Sequence, residues 1–101
     1  MKPPPLTPAE LEMVRAVLRQ HPEVRTANLF GSRAKGTHSQ RSDVDVVLTG
    51  EVEPLRAEAI AAELDELPLP YQFDVKPLDH IHFPPLLDDI QRVGILIYPA
   101  T

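Results

Sequence analysis

The chain has 101 residues, 15 acidic and 10 basic, for a formal net charge of -5, and it contains no cysteine. That length supports one hydrophobic core and a single domain over 1–101, with no room for a separate substrate-binding domain. The acidic balance argues against a protein that grips nucleic acid through a broad basic surface, and the lack of thiols excludes disulfides and thiolate metal sites. The opening Met-Lys-Pro-Pro-Pro-Leu-Thr-Pro has no apolar run that would serve as a signal peptide. No stretch approaches the roughly 20 apolar residues of a membrane span. A soluble, cytoplasmic protein is expected.

Residues 1–6, with Pro3 to Pro5, form a stiff extended lead-in. Thr7-Pro8-Ala9-Glu10 is a capping box with proline at the first helical position. Leu11, Val14, Val17 and Leu18 follow at helical spacing, which predicts a helix from about Pro8 to about Gln20, ended by His21-Pro22. Thr26 to Phe30 is the first predicted strand and delivers the chain to Gly31-Ser32. A short helix is expected from Ser32 or Arg33, stopped by Gly36. The second strand runs from about Asp43 to Leu48 and is closed by Thr49-Gly50. Pro54 opens a long helix through Leu55, Ala59, Ile60, Leu64 and Leu67, which Pro68 and Pro70 terminate. Tyr71 to Lys76 alternates, with Tyr71, Phe73 and Val75 on one face and Gln72, Asp74 and Lys76 on the other. Pro84-Pro85 opens a last helix with Leu86, Leu87, Ile90 and Val93. Gly94 is its C-cap, and Ile95 to Tyr98 is a final strand.

The run Gly31 to Val47 carries the chemistry. Its first half is a glycine-serine turn with Arg33 and Lys35, suited to phosphate. Its second half, Asp43-Val44-Asp45, lies where the chain becomes a strand. Residues two apart on a strand share a face, so Asp43 and Asp45 project together while Val44, Val46 and Leu48 point into a core. Adjacent carboxylates repel unless a cation lies between them, and near a phosphate-binding turn the fitting cation is Mg²⁺. Asp74 is a third carboxylate on the polar face of an otherwise apolar strand; its plainer reading is a solvent-facing residue on an edge. Gly31-Ser32 taken alone is equally an ordinary strand-to-helix turn with a serine cap. A P-loop is rejected, because Thr37 stands after Gly36 where that motif requires lysine. Arg33, Lys35 and Arg41 either neutralise triphosphate or only solvate the loop. Asp79-His80-Ile81-His82, His21 and His38 read as loop residues without metal partners.

The pattern formed by Gly31, Ser32, Gly36, Ser42, Asp43 and Asp45, followed by apolar residues, resembles the signature of the DNA polymerase β-like nucleotidyltransferases. At this length it is similar to their minimal members, including antitoxins of the MntA type. The resemblance implies an α+β fold with a small mixed sheet and helices packed mainly on one face. It implies that Gly31, Ser32, Arg33 and Ser42 bind nucleotide and that Asp43, Asp45 and Asp74 bind two Mg²⁺ ions, Asp74 serving the nucleophile. It further implies transfer of AMP from ATP to a hydroxyl, a tyrosine of a HEPN-domain protein encoded nearby. The chain would form a hetero-oligomer with that partner, or a homodimer, and would not bind nucleic acid directly. Two alternatives stand beside this: a non-enzymatic subunit that neutralises a partner by docking, and nucleotidylation of a small molecule such as an antibiotic.

Overall fold

The computed structural model describes residues 6–36 and 43–99, with the backbone alone for 32 and 33. Helix α1, Pro8–Arg19, starts as its sequence dictates. The Thr7 hydroxyl accepts from the Glu10 N–H at 3.2 Å and the Glu10 carboxylate accepts from the Thr7 N–H at 2.9 Å. Two donors that a helix start leaves unpaired are thus satisfied reciprocally. Strand β1, Val24–Phe30, begins two residues earlier than its sequence predicts. Helix α2 is the single short turn Gly31–Lys35, and β2 is Val44–Gly50. Asp43 therefore precedes β2 rather than opening it, and Thr49 and Gly50 belong to the strand.

Helix α3, Pro54–Asp65, and helix α4, Pro84–Val93, both have proline in the first turn and no side-chain cap. Strand β3 is Phe73–Pro77, shorter at its start than the alternation from Tyr71 suggests. Tyr71 instead lies before the strand, and its hydroxyl donates to Glu10 of α1 at 2.7 Å. Leu78–His80, read as loop from the sequence, forms one 3₁₀ turn, and β4 is Ile95–Tyr98. Gly94 caps α4 as expected, with its N–H on the Ile90 carbonyl.

The sheet order is β3-β2-β1-β4. β1 pairs antiparallel with β2 and β4, and β2 pairs parallel with β3. A parallel neighbour needs a long crossover, which α3 supplies. This is the small mixed sheet of an α+β fold. One face carries the main core: Val44, Val46, Leu48, Ala27, Leu29, Phe73 and Val75 pack with Val14 and Leu18 of α1 and with Ile60 and Leu64 of α3. Fully burying a side chain of this size contributes roughly 1.5–3 kcal/mol. Arg15 of α1 further reaches the Ile97 carbonyl of β4 at 2.7 Å. The other face carries a smaller cluster of Phe30 and Val47 with Ile81 and Ile90, so α4 and the 3₁₀ turn cover only part of it.

Candidate functional site

Three chain segments meet at one end of the sheet: the C-terminal end of β1 and the starts of β2 and β3. Phe30, the last residue of β1, is the partner of Asp45, and Asp45 is the partner of Asp74 on the parallel strand. Residues paired across a ladder share a face, so Asp45 and Asp74 stand side by side on the face away from the main core. Two hydrogen bonds fix this arrangement. The Val44 N–H donates to the Gln72 carbonyl at 2.9 Å, and the Phe73 N–H donates to the Asp65 carboxylate at 2.8 Å. Asp65, at the end of α3, thereby occupies a donor at the very start of β3.

Gly31 follows Phe30 directly and adopts φ +74, in the left-handed region. A Cβ at Gly31 would collide with the Asp45 Oδ2 and lie 3.3 Å from its Cγ. Glycine is required there twice over, by conformation and by the carboxylate lying against its backbone. The Asp45 carboxyl is pushed above the usual carboxylate range. Burial is the main cause, then the neighbouring charges of Asp74 and Asp43, with Lys76 acting in the opposite sense. Asp43 is exposed, yet it belongs to the same local field.

Oxygen donors that repel one another, with Asp45 half-buried against a backbone without Cβ and Asp43 and Asp74 exposed beside it, suit a hard divalent cation able to take phosphate oxygens as well. The residues fit such an ion in chemistry. As they stand, no three acidic or imidazole side chains among the described residues are grouped closely enough to hold one. Asp74 is engaged elsewhere: the Lys76 ammonium lies 3.0 and 2.8 Å from its two oxygens. Lys76 was visible in the sequence as the next residue on the polar face of the strand. Its grip on Asp74 was not.

Of the basic residues around the turn, Lys35 points to α4. Its Nζ is 2.9 Å from Asp89, which also meets Arg92 at 3.1 Å. The Lys35 hydrogen bond is the largest cause holding the Asp89 carboxyl below its ordinary value. Lys35 therefore ties α2 to α4 instead of only solvating the loop. Ser42, Arg41 and His38 lie outside the described residues, as do the side chains of Ser32 and Arg33. His80 falls in the 3₁₀ turn and His82 just after it, both exposed.

His21 corrects its reading as a loop residue without a partner. It is 8% exposed, with Nε2 2.9 Å from Glu63 and Nδ1 3.5 Å from Glu23. The Nε2 contact lacks the alignment of a hydrogen bond. The signal missed is a long-range one: the residue that follows α1 is buried against Glu63 of α3.

Residues 12–100 match the family model described as "Polymerase beta, Nucleotidyltransferase". No curated protein matches significantly in sequence. Among solved structures, a chain from a toxin–antitoxin crystal structure with AMP-PNP superposes with a TM-score of 0.75 at 20% identity, covering 90% of this chain and 74% of that one. A chain from a tri-AMPylated Shewanella oneidensis HEPN toxin in complex with an MNT antitoxin gives 0.70 at 17% identity, over 91% and 71%. One from the toxin–antitoxin MntA-HepT gives 0.71 at 16% identity, over 93% and 74%. At these identities the likeness establishes the fold. Among the described residues, no helix is long and apolar enough to cross a membrane.

Proposed function

The chain belongs to the polymerase β nucleotidyltransferase family, and on that premise we propose that it transfers AMP from ATP to a hydroxyl of a HEPN-domain toxin, a tyrosine, and so acts as the antitoxin of the pair. The observation that carries this reading is the contact of Asp45 with the Gly31 backbone, with Asp74 in register beside it. It brings a phosphate-approach turn and a carboxylate pair to one point of the sheet. The solved complexes of similar fold support the partner and the nucleotide, one holding AMP-PNP and another a tri-AMPylated HEPN toxin.

In this reading Gly31 lets the triphosphate approach the backbone, with Ser32, Arg33 and Ser42 as further contacts. Asp43, Asp45 and Asp74 would hold two Mg²⁺ ions. When bound, these supply charge neutralisation on the triphosphate and acidify the attacking hydroxyl. Asp43 and Asp45 would hold the ions that meet the triphosphate, and Asp74 would hold the ion that serves the acceptor hydroxyl. The acceptor hydroxyl would give up its proton to Asp74 and from there to solvent. Its oxygen forms a bond to the α-phosphorus as the bond to the β-phosphate bridging oxygen breaks, and pyrophosphate leaves with that electron pair. Positioning and charge carry most of such a reaction, which suits a small domain.

The test is incubation of the chain with ATP, Mg²⁺ and the protein encoded beside it, followed by mass spectrometry of that protein. A gain of one AMP per modified tyrosine is expected, and its absence with a toxic, correctly folded partner would sink the reading. The Lys76 contact favours one second reading, a docking subunit that neutralises its partner without chemistry, since Asp74 is already neutralised by an internal cation. Full protection by the Asp43→Asn, Asp45→Asn chain would select it.

A further inference from the structure

Lys76 stands two residues beyond Asp74 on β3, and the parallel register sets it opposite Val47, one step along the same face from the Asp45–Asp74 pair. Its ammonium contacts both Asp74 oxygens, at 3.0 and 2.8 Å. The two side chains are 40% and 50% exposed, so neither is a core residue. An exposed ion pair of this kind adds little to folding, because solvent screens it and two long side chains lose freedom. Its effect is on the carboxylate cluster. Both oxygens of Asp74 face an ammonium, and among the described residues no three acidic or imidazole side chains are grouped closely enough to hold an ion.

Resting on the reading of Asp74 as an ion ligand, we propose that Lys76 is a positioning residue that withholds Asp74 from the site as an internal counter-cation, until a divalent ion displaces it. A divalent ion draws a carboxylate more strongly than an ammonium does, and it repels the ammonium that occupied the place. Ion binding at Asp74 therefore has to work against Lys76. The chain carries its own threshold for assembling the third carboxylate, set by a residue that need not touch substrate.

The experiment measures binding of Mn²⁺ alone to the full chain, from the electron paramagnetic resonance signal of free Mn²⁺, without ATP or partner. Lys76→Met keeps the stem and removes the charge, Lys76→Gln removes it in a polar form, and Lys76→Arg retains a cation. The Met and Gln chains should bind Mn²⁺ tighter, by on the order of fivefold, the scale of an exposed pair. The Arg chain should stay near wild type. In an Asp74→Asn background, Lys76→Met should have a much smaller effect, only what the Lys76 charge exerts directly on Asp45. Circular dichroism confirms that each chain is folded, and agreement of the Met and Gln forms guards against an effect of the new side chain. Equal or weaker binding after Lys76→Met and Lys76→Gln, or a gain that is undiminished with Asp74→Asn, overturns the role of Lys76 while leaving the site reading in place. No Mn²⁺ binding by any of the chains overturns both.

Discussion

The two faces of the sheet are built from alternate residues of the same strands and have different physical roles. Along β2, Val44, Val46 and Leu48 are fully buried in the main core, sealed by α1 and α3. Asp45, between two of these valines, faces a side that α4 covers only in part, and it carries a carboxyl whose ionisation burial and its neighbours oppose. A strand pinned by dry packing on one side holds its other side in fixed register. The chemistry can then be concentrated at residues that contribute nothing to stability, or subtract from it. The two faces should therefore respond in opposite ways to substitution.

The largest expected effect is on the site face. Asp43→Asn with Asp45→Asn scarcely changes volume, and AMP transfer to the partner should fall by at least about a thousandfold, the scale on which lost charge stabilisation acts. Thermal unfolding should be unchanged or shifted slightly upward, because a disfavoured charge has been removed. A large loss of stability would contradict the separation of the faces. On the core face, Leu48→Ala should cost about 2–5 kcal/mol in urea denaturation, since Leu48 is 1% exposed and leaves a cavity. Transfer by the fraction that remains folded should stay near wild type.

Gly31→Ala tests where the separation ends. The left-handed φ costs a residue with Cβ roughly 1–2 kcal/mol, and the new methyl must also push Asp45 aside. Stability and transfer should fall together, a pattern that neither previous substitution gives. Thr7→Ala removes the capping hydroxyl of α1 and should cost about 1 kcal/mol without touching transfer rates.

The smallest expected effect is in pH dependence without divalent metal. The Asp45 carboxyl is raised in the folded chain, so below its unfolded value it is protonated in both states and stability with respect to this group is at its fullest. As pH rises from the ordinary carboxylate range through the raised folded value, the unfolded chain releases its proton first, and the favourable contribution of protonated Asp45 is lost. Urea midpoints of wild type and Asp45→Asn, compared in EDTA, should diverge in favour of the Asn form across that window and stay parallel above it. Divergence that grows toward acid would have the wrong sign.

Much of the fold was legible in the sequence because its signals are local. The capping box at Thr7, the prolines that open α1, α3 and α4, and the alternation in β2 each act within a few residues. Errors fell where long-range contacts intervene. Tyr71 alternates as strand but lies before it, with its hydroxyl on Glu10 of α1, and His21 follows a helix like a loop residue but is buried against Glu63 of α3. The site divides in the same way. The residue types and the spacing of Gly31, Asp43 and Asp45 are matters of sequence, as is the presence of Asp74 and Lys76 on one face of a strand. That β3 lies parallel to β2 with Asp74 opposite Asp45, that Lys35 is taken up by Asp89, and that Lys76 holds Asp74 were decided by the tertiary structure. Strand pairing and side-chain partners join residues far apart in the chain, and local periodicity specifies a face without specifying its neighbour.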